Sequence, residues 1–402
     1  MGAPLAPPIT NRSDLIGFAE RLQGVSEVGF DTEFHAEQTY YSKVMLLQFS
    51  TPDEVVLIDP LAPEVKSALG GFLELIKMRG QTVLGHALER DLEIFLRLNG
   101  GLPKKIFDTQ VAAAFLDTGG PIGLGPLLQK RLNVEVDKLY TRADWGRRPL
   151  PPGQAAYAAD DVRHLFALVA SLREELEARD RLAWVEEECA ALLNPERLVA
   201  AAPDTAWRRV GRKPSDGRAR AILVEVAAER ERIAEETNVP PRRVVGDEVL
   251  VDLSRRAPRR ASELDSDTRR KPAPNLKKHA NRWLEAIQIG LEADPPAEAV
   301  VPKGPGKAVA DLAEWLASST LEAVDISPHL LPGGFFNRLR GVIETPADSQ
   351  EDLTQRLEVE GWREALLAEP LWQLLGREAK VVVSRDGESL RANLFREPEE
   401  EP

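Results

Sequence analysis

Two carboxylates lie close together in the stretch VGFDTEF at residues 28–34. Val28 and Phe30 alternate with Asp31 and Glu33, which is the period of a strand with one buried face and one face that carries both acids. Because like charges on one strand face repel each other, a cation held between them is the usual reason for such a pair. The stretch alone fits equally well an exposed edge strand with an acidic outer face.

A third acid, Asp91, falls inside the apolar stripe of a helix predicted over residues 88–98. The apolar members of that stripe recur at helical spacing, and they are Leu88, Leu92, Phe95 and Leu98. Burial of a lone acid in such a stripe is unfavourable because it disfavours the charged form. The alternative is a broader stripe that leaves Asp91 facing solvent beside Glu89 and Arg90.

A fourth acid, Asp161, shares a helix face with a tyrosine. In the helix predicted from about Gly153, the residues on this face are Tyr157, Asp161, Leu165 and Leu168. The spacing places a carboxylate one turn from a phenol. Taken alone, the pair fits an ordinary core tyrosine and a surface aspartate.

The four acids together indicate a kind of chemistry. Carboxylates from one strand and two helices form an oxygen-only ligand set, which selects a hard divalent cation such as Mg²⁺ or Mn²⁺. Neutralising four negative charges takes about two such ions, and two ions roughly 4 Å apart stabilise the attacking and leaving oxygens of an in-line phosphoryl displacement. Asp31, Glu33, Asp91 and Asp161 therefore predict metal-dependent phosphodiester hydrolysis.

The elements around these acids are typical of an α/β domain. Strands predicted over residues 43–50 and 54–59 follow the acidic strand closely, so the three form an antiparallel meander. A helix over residues 63–78, a strand over 81–85 and the helix of Asp91 then alternate, which predicts parallel strands added to the same sheet. A short helix with Ser13 as its N-cap is predicted before the acidic strand.

Charge is distributed unevenly along the chain. The chain has 65 acidic and 52 basic residues and a net charge of −13, which argues against a general nucleic-acid coat protein. Residues 204–283 nevertheless contain 20 lysines and arginines against 13 acids. Because of this excess positive charge, the region is the candidate for binding a polyanion.

Cysteine content and targeting motifs indicate the compartment in which the protein is found. The single cysteine, Cys189, excludes an internal disulfide and any multi-cysteine zinc site, which fits a reducing compartment. No signal peptide, lipidation motif or apolar run of membrane-spanning length is recognised. We therefore expect a soluble cytoplasmic protein that does not associate with membranes.

Three motifs, taken in order, resemble the exonuclease motifs of the DEDD superfamily, and most closely those of ribonuclease D. They are VGFDTEF at 28–34, GHA at 85–87 followed by Asp91, and YAADD at 157–161. The segments FDTQ at 107–110, residues 123–138 and DWGRRPL at 144–150 also resemble that family. The resemblance implies a ribonuclease-H-like mixed sheet of three antiparallel and two parallel strands with flanking helices.

The resemblance also implies roles for individual residues. Asp31, Glu33 and Asp161 would hold the metal that activates water, and Asp31 with Asp91 the metal near the leaving 3′-oxygen. Tyr157 would orient the attacking water. The other branch of the superfamily has a histidine five residues before the last aspartate, where this chain has Ala156. The tyrosine branch is therefore assigned, with Tyr157 and the four acids as the catalytic residues.

The rest of the chain resembles HRDC modules, which are small all-α bundles appended to ribonuclease D. The expected organisation is an exonuclease domain at residues 1–203, a first HRDC domain at 204–293, a linker at 294–307, an HRDC-like domain at 308–396 and a disordered acidic tail at 397–402. Packing is the expected role of the second module, because few basic residues remain in it.

Two groups of basic residues are candidates for contact with RNA. Arg142, Arg147 and Arg148 lie in the proline-rich loop before the helix of Tyr157, and Arg148 is favoured for a substrate role. The alternative is that one or more of them only hold the loop. The second group belongs to the basic region, and its members are Arg208, Arg209, Arg212 and Lys213.

The sequence thus predicts a monomeric 3′→5′ exoribonuclease that uses two Mg²⁺ or Mn²⁺ ions and releases 5′-mononucleotides. Phosphodiester hydrolysis follows from the acids, whereas polarity and RNA substrates, with tRNA precursors foremost, follow from the resemblance. A DNA 3′→5′ exonuclease is the nearest alternative because the same site acts on both sugars. A non-catalytic RNA-binding protein on a nuclease fold is disfavoured by the presence of all four acids and Tyr157.

Overall fold

The computed structural model describes residues 5–136, 139–140, 143–198, 203–211, 213–264, 274–296, 305–375, 379–386 and 389–396. Two predicted RNA-contact residues, Arg142 and Arg212, lie outside these ranges, as does the predicted acidic tail at 397–402. The chain folds into a sheet domain (residues 5–198), a basic module (residues 203–296) and a C-terminal module (residues 305–396).

A five-stranded mixed sheet forms the centre of the sheet domain. Its strands are β1 Glu27–His35, β2 Lys43–Ser50, β3 Val55–Ile58, β4 Thr82–Gly85 and β5 Lys105–Asp108. Their spatial order is β3-β2-β1-β4-β5, in which β1–β2 and β2–β3 pair antiparallel and β1–β4 and β4–β5 pair parallel. The predicted fold class, a mixed sheet of three antiparallel and two parallel strands, is confirmed.

The acidic strand β1 lies in the middle of this sheet and has two different faces. On one face, Phe30 packs against Phe49 and Phe95 with ring centroids 5.0 and 5.8 Å apart, so this side is core. The other face carries Asp31 and Glu33, because successive residues of a strand point to opposite sides. A central position excludes the edge strand that the sequence had left open.

Nine helices surround the sheet within the described ranges. They are α1 Arg12–Arg21, α2 Pro63–Arg79, α3 Glu89–Asn99, α4 Thr109–Ala114, α5 Leu124–Leu132, α6 Pro152–Arg163, α7 Leu165–Ala178, α8 Leu182–Leu192 and α9 Pro195–Leu198. The N-cap of α1 is Asn11, whose side chain accepts from the Asp14 backbone N–H, so the predicted cap at Ser13 is wrong. Asn and Ser are about equally good N-caps, which explains the two-residue error.

The basic module is a helical bundle with a hydrophobic core of its own. Its helices are α10 Gly217–Thr237, α11 Pro241–Val244, α12 Asp247–Arg256, α13 Pro274–Lys278 and α14 Ala280–Glu292, with 3₁₀ turns at Pro203–Arg209 and Ala261–Glu263. Trp283 and Ile222 are fully buried in this core. The module touches the loop after β1, where Tyr40 donates its hydroxyl to Glu231 at 2.9 Å and Tyr41 to Glu235 at 2.5 Å.

The C-terminal module packs directly onto the sheet domain. Its helices are α15 Pro305–Glu322, α16 Phe335–Glu344, α17 Gln350–Leu357 and α18 Gly361–Leu375, with a 3₁₀ turn at Pro328–Leu330. Trp362 of α18 is buried against Phe115, at a ring-centroid distance of 5.0 Å, and against Trp184 at 6.2 Å. Arg363 donates to both carboxylate oxygens of Glu188. The packing role expected for this module agrees with these contacts.

Two features of the C-terminal module differ from the sequence prediction. Strands β6 Ala379–Asp386 and β7 Ser389–Arg396 pair antiparallel, so this module is not all-α as predicted. The sequence contains a signal for such a hairpin in Asp386-Gly387, because Asp-Gly between two apolar stretches is common at the turn of a hairpin. Helix α15 begins at Pro305, inside the predicted linker, and proline is favoured at a first helical position.

No helix among the described residues is both long enough and apolar enough to cross a membrane.

Candidate metal centre

Three carboxylates from β1 and α6 converge on one point. One oxygen each from Asp31, Glu33 and Asp161 lies within 4.8 Å of the others. Asp31 and Glu33 are brought together by the period of the strand, and Asp161 is brought to them by α6, which contacts β1, β2 and β3. All three side chains are partly exposed, so the point is open to solvent.

Asp91 approaches this group from α3. Only 5% of it is exposed, and it lies on the buried face of the helix with Leu92 and Phe95, as its place in the apolar stripe predicted. The hydroxyl of Thr32, between the two acids of β1, donates to Asp91 Oδ1 at 2.5 Å. This bond ties the fourth carboxylate to the acidic strand.

Close contact between α6 and the sheet depends on Gly29 and Ser50. The two residues are paired across β1 and β2, and the Ser50 hydroxyl donates to the carbonyl of Val162 at 2.8 Å. A Cβ at residue 29 would lie 2.1 Å from Ser50 Oγ. Glycine therefore leaves room for the hydroxyl that fixes α6 immediately beside Asp161.

Burial and mutual repulsion raise the pKa of every acid in the group. Burial and Asp161 raise the pKa of Asp31 well above its ordinary value. Burial, with Asp31 the largest charge contribution, raises the pKa of Glu33 to about 10, and burial with Asp160 raises that of Asp161 to about 7. Burial and Asp31 also raise the pKa of Asp91. Such convergent shifts are typical of a site that binds cations.

The donor set fits divalent cations. The ligands are carboxylate oxygens only, which hard cations prefer, and the mutual repulsion described above is relieved when positive charge enters. No lysine or arginine forms an ion pair with Asp31, Glu33, Asp91 or Asp161 within the described ranges, so the protein itself does not neutralise them there. The cluster is thus suited to divalent metal ions.

Tyr157 lies one helical turn before Asp161 on α6. Its ring packs against Trp145 and Tyr140 at centroid distances of 6.0 and 6.2 Å, and the side chain is partly exposed. Trp145 is 3% exposed and anchors the loop that leads into α6. The aromatic contacts fix the direction of the phenol next to the carboxylates.

Arg148 forms several polar contacts in the loop before α6. Its Nε and Nη2 donate to the two carboxylate oxygens of Asp59 at 2.6 and 2.8 Å. Further donor hydrogens go to the carbonyls of Met45, Trp145 and Arg147. Because the guanidinium donates to groups of the protein itself, the structure favours the alternative in which Arg148 holds the loop. Arg148 has this role because Asp59, at the end of β3, is its partner. The sequence alone did not indicate that Asp59 contacts this loop.

The remaining predicted RNA contacts differ in their surroundings. Arg147 is exposed beside Arg148. In the basic module, Arg208 is exposed. Lys213 Nζ donates to the Arg208 carbonyl and lies over the Trp207 ring. Arg209 forms an ion pair with the buried Glu231 at 3.0 Å. Arg209 also lines a cleft of about 1180 Å³ between the sheet domain and the basic module.

Sequence reasoning missed several residues around the acids. Thr32, Ser50 and Asp59 lie within predicted strands, and local sequence patterns assign them no role at the site. Gln48 also went unnoticed, although it is the one amide in the apolar run of β2 and is paired with Asp31 in the sheet. An amide in a run that reads as fully buried is the signal that could have identified it.

Comparison with known proteins agrees with this geometry. A family model described as 3′–5′ exonuclease matches residues 7–177, and a model of the HRDC domain matches residues 219–287. Ribonuclease D of Gluconacetobacter diazotrophicus is 32% identical over 398 residues, covering 96% of each chain. Ribonuclease D of Zymomonas mobilis is 29% identical over 388 residues, covering 94% of each.

Solved structures show the same likeness. The crystal structure of Escherichia coli RNase D, described as an exoribonuclease involved in structured RNA processing, superposes with a TM-score of 0.75 and 29% identity and covers 93% of this chain and 99% of its own. The catalytic core of RRP6 from Trypanosoma brucei has 20% identity and a TM-score of 0.53 over 71% of this chain and 79% of its own, which shows a shared fold. The exonuclease resemblance and the HRDC resemblance of the basic module are confirmed.

Proposed function

The chain belongs to the ribonuclease D family of 3′→5′ exoribonucleases, and from this we propose that Asp31, Glu33, Asp91 and Asp161 bind two divalent cations, Mg²⁺ or Mn²⁺. In this proposal the enzyme removes nucleotides one at a time from RNA 3′ ends and releases 5′-mononucleotides. The observation that carries it is the convergence of oxygens of Asp31, Glu33 and Asp161 within 4.8 Å.

The bound cations would supply positive charge to the attacking and leaving oxygens of the phosphodiester. The chain's own residues position that charge. Asp31 would belong to both ligand groups, with Glu33 and Asp161 in one and with Asp91 in the other. Thr32 holds Asp91 in place, and Ser50 holds α6 and thereby Asp161.

We assign Tyr157 the task of orienting the attacking water. Its ring is fixed by Trp145 and Tyr140, and its backbone is one turn from Asp161. A positioned phenol contributes through hydrogen bonding to the reacting water, while the metal ligands remain intact without it. Arg147, exposed at the same loop, is proposed to contact the phosphates of entering RNA.

The modules suggest how RNA is held. The division into an exonuclease domain at 1–203, a first HRDC domain at 204–293 and an HRDC-like domain at 308–396 is kept as a proposal, supported by the separate core of the basic module. Arg208 and Lys213 of the basic module are proposed to bind RNA phosphates. Structured RNAs such as tRNA precursors are the proposed substrates, and a monomer is the proposed working form.

The experiment is a time course on matched RNA and DNA oligonucleotides labelled at the 5′ end. With Mg²⁺ or Mn²⁺ we expect RNA to shorten from its 3′ end in single-nucleotide steps, and chelation of the metal to stop the reaction. Preferential degradation of the DNA would move the assignment to a DNA exonuclease. Cleavage that is insensitive to chelation would contradict the metal site.

A further inference from the structure

Gln48 is a buried amide beside the carboxylate cluster. It lies within β2 and is 0% exposed. Neither its Oε1 nor its Nε2 has a hydrogen-bond partner in the part of the chain that the structure describes. Buried polar groups in folded proteins are almost always hydrogen-bonded, so an amide with both ends unpaired calls for a specific explanation.

The sheet register places this amide next to Asp31. Gln48 pairs with Asp31 across β1 and β2, and with Leu57 across β2 and β3. Directly opposite residues in an antiparallel pair point to the same face, with Cβ atoms about 4.5–5.5 Å apart. On its other flank the amide has the apolar Leu57, and α6 covers this face through Ala158. The polar neighbour across the strand pair is therefore Asp31.

Asp31 in turn lacks a side-chain donor. One of its carboxylate oxygens faces Glu33 and Asp161, and the carboxylate accepts from the backbone N–H of Thr32, but no hydrogen bond or ion pair from another side chain reaches it among the described residues. Carboxylates that ligate metals are generally hydrogen-bonded on their other oxygen, and this partner fixes their orientation. The amide of Gln48 has the right chemistry and position to supply that bond.

We propose that Gln48 is a positioning residue of the metal centre, whose amide nitrogen donates, when a cation is bound, to the Asp31 oxygen that does not face that cation. The inference rests on the proposed function, because it assumes that the cluster binds divalent cations. This role explains why an amide occurs within the apolar run of β2.

Gln48→Met tests this, because methionine keeps the length of the side chain and removes both polar ends. Mn²⁺ binding to the metal-free full-length protein would be measured by titration calorimetry, and its unfolding by a thermal melt. We expect the dissociation constant for Mn²⁺ to rise about 10–100-fold. We expect the melting temperature of the metal-free protein not to fall, because an unpaired buried polar group is removed.

The matched control is Gln81→Met. Gln81 is also buried, at 2% exposure, but its Nε2 donates to the carbonyls of Leu22 and Val25 at 3.1 and 2.9 Å, away from the cluster. This variant should melt at a lower temperature and bind Mn²⁺ as the wild type does. Gln48→Leu, which is smaller, provides the same test if methionine prevents folding.

If Gln48→Met bound Mn²⁺ as tightly as the wild type, the inference would be overturned. This holds whether or not the melting temperature of Gln48→Met falls as that of Gln81→Met does. If the wild-type protein itself bound no Mn²⁺, the metal centre of the proposed function would fail, and the inference with it. The two failures are distinguished because only the second involves the unaltered protein.

Discussion

Arg148 binds both carboxylate oxygens of Asp59, at 2.6 and 2.8 Å, and thereby joins the loop before α6 to the end of β3. Asp59 is 5% exposed and also accepts from the backbone N–H of Leu61. A bidentate pair of this kind is a rigid connection. It makes the loop beside Tyr157 part of the scaffold.

The Arg148–Asp59 pair predicts different effects for two neighbouring arginines. Arg148→Ala should lower the free energy of unfolding by about 3 kcal/mol, because it leaves a nearly buried carboxylate unpaired. Arg147→Ala, an exposed neighbour, should change it by less than about 0.5 kcal/mol and should raise the Michaelis constant for RNA instead. Urea unfolding and steady-state kinetics measure the two effects. An unaltered unfolding curve for Arg148→Ala would show that the pair does not hold the loop.

The metal-free protein should become less stable as the pH rises. The folded-state pKa values of Asp161, about 7, and Glu33, about 10, lie above their ordinary values of 3.8 and 4.5. The folded state therefore binds more protons than the unfolded state between those limits, and stability declines as pH increases through this window. Thermal melts in chelator should give a higher melting temperature at pH 6 than at pH 8.

Asp31→Asn is the control for this pH effect. Removal of one charge should raise the melting temperature of the metal-free protein at pH 8 and flatten its dependence on pH. Added Mg²⁺ should stabilise the wild type most at high pH, when the ligands are deprotonated. Stability of the metal-free wild type that increases from pH 6 to pH 8 would contradict the clustering of these acids.

Tyr157→Phe should reduce kcat by about 10²–10⁴ while Mn²⁺ affinity is retained, because only the orientation of water is lost. The phenylalanine ring preserves packing against Trp145 and Tyr140, so the melting temperature should stay close to that of the wild type. The rate and the affinity are measured by single-turnover cleavage and calorimetry. An unchanged rate across the pH range would assign the phenol a purely structural role.

Cations of the basic module should contribute to RNA affinity in a salt-dependent way. The double variant Arg208→Glu with Lys213→Glu should weaken RNA binding, and the slope of log affinity against log salt should shrink by about 0.7 for each single-strand phosphate that is no longer bound. Arg12→Glu, an exposed arginine on α1, is the control and should leave the slope unchanged. Coincident slopes for the double variant and wild type would mean that these cations do not touch RNA.

Point substitutions are used to test the basic module because truncation of the chain would also disturb the sheet domain. A chain that ends at the predicted domain boundary, near residue 203, would lose both modules. The structure makes this unfavourable, since Trp362 of the C-terminal module is 2% exposed and covers Phe115 of the sheet domain. Removing the module would expose that apolar surface to water.

The sequence was most informative where residue patterns repeat locally. The alternation at β1 and the helical stripe around Asp91 correctly predicted the strand, the helix and the burial of the acid. The pattern could not reveal contacts between distant segments, and Arg148 illustrates this. Its partner Asp59 is brought to it only by the sheet. Gln48 is a similar case, since its meaning depends on the register with Asp31, which a single sequence does not specify.

Asp31→Asn tests whether the four acids form a metal-dependent site that shortens RNA from its 3′ end. Cleavage of 5′-labelled RNA in Mg²⁺ should fall by about 10²–10³-fold or more. RNA binding without metal should be kept or strengthened, because a repulsive charge is removed. Turnover of Asp31→Asn within about tenfold of the wild type, in a protein that binds RNA normally, would show that these acids are not the site of hydrolysis.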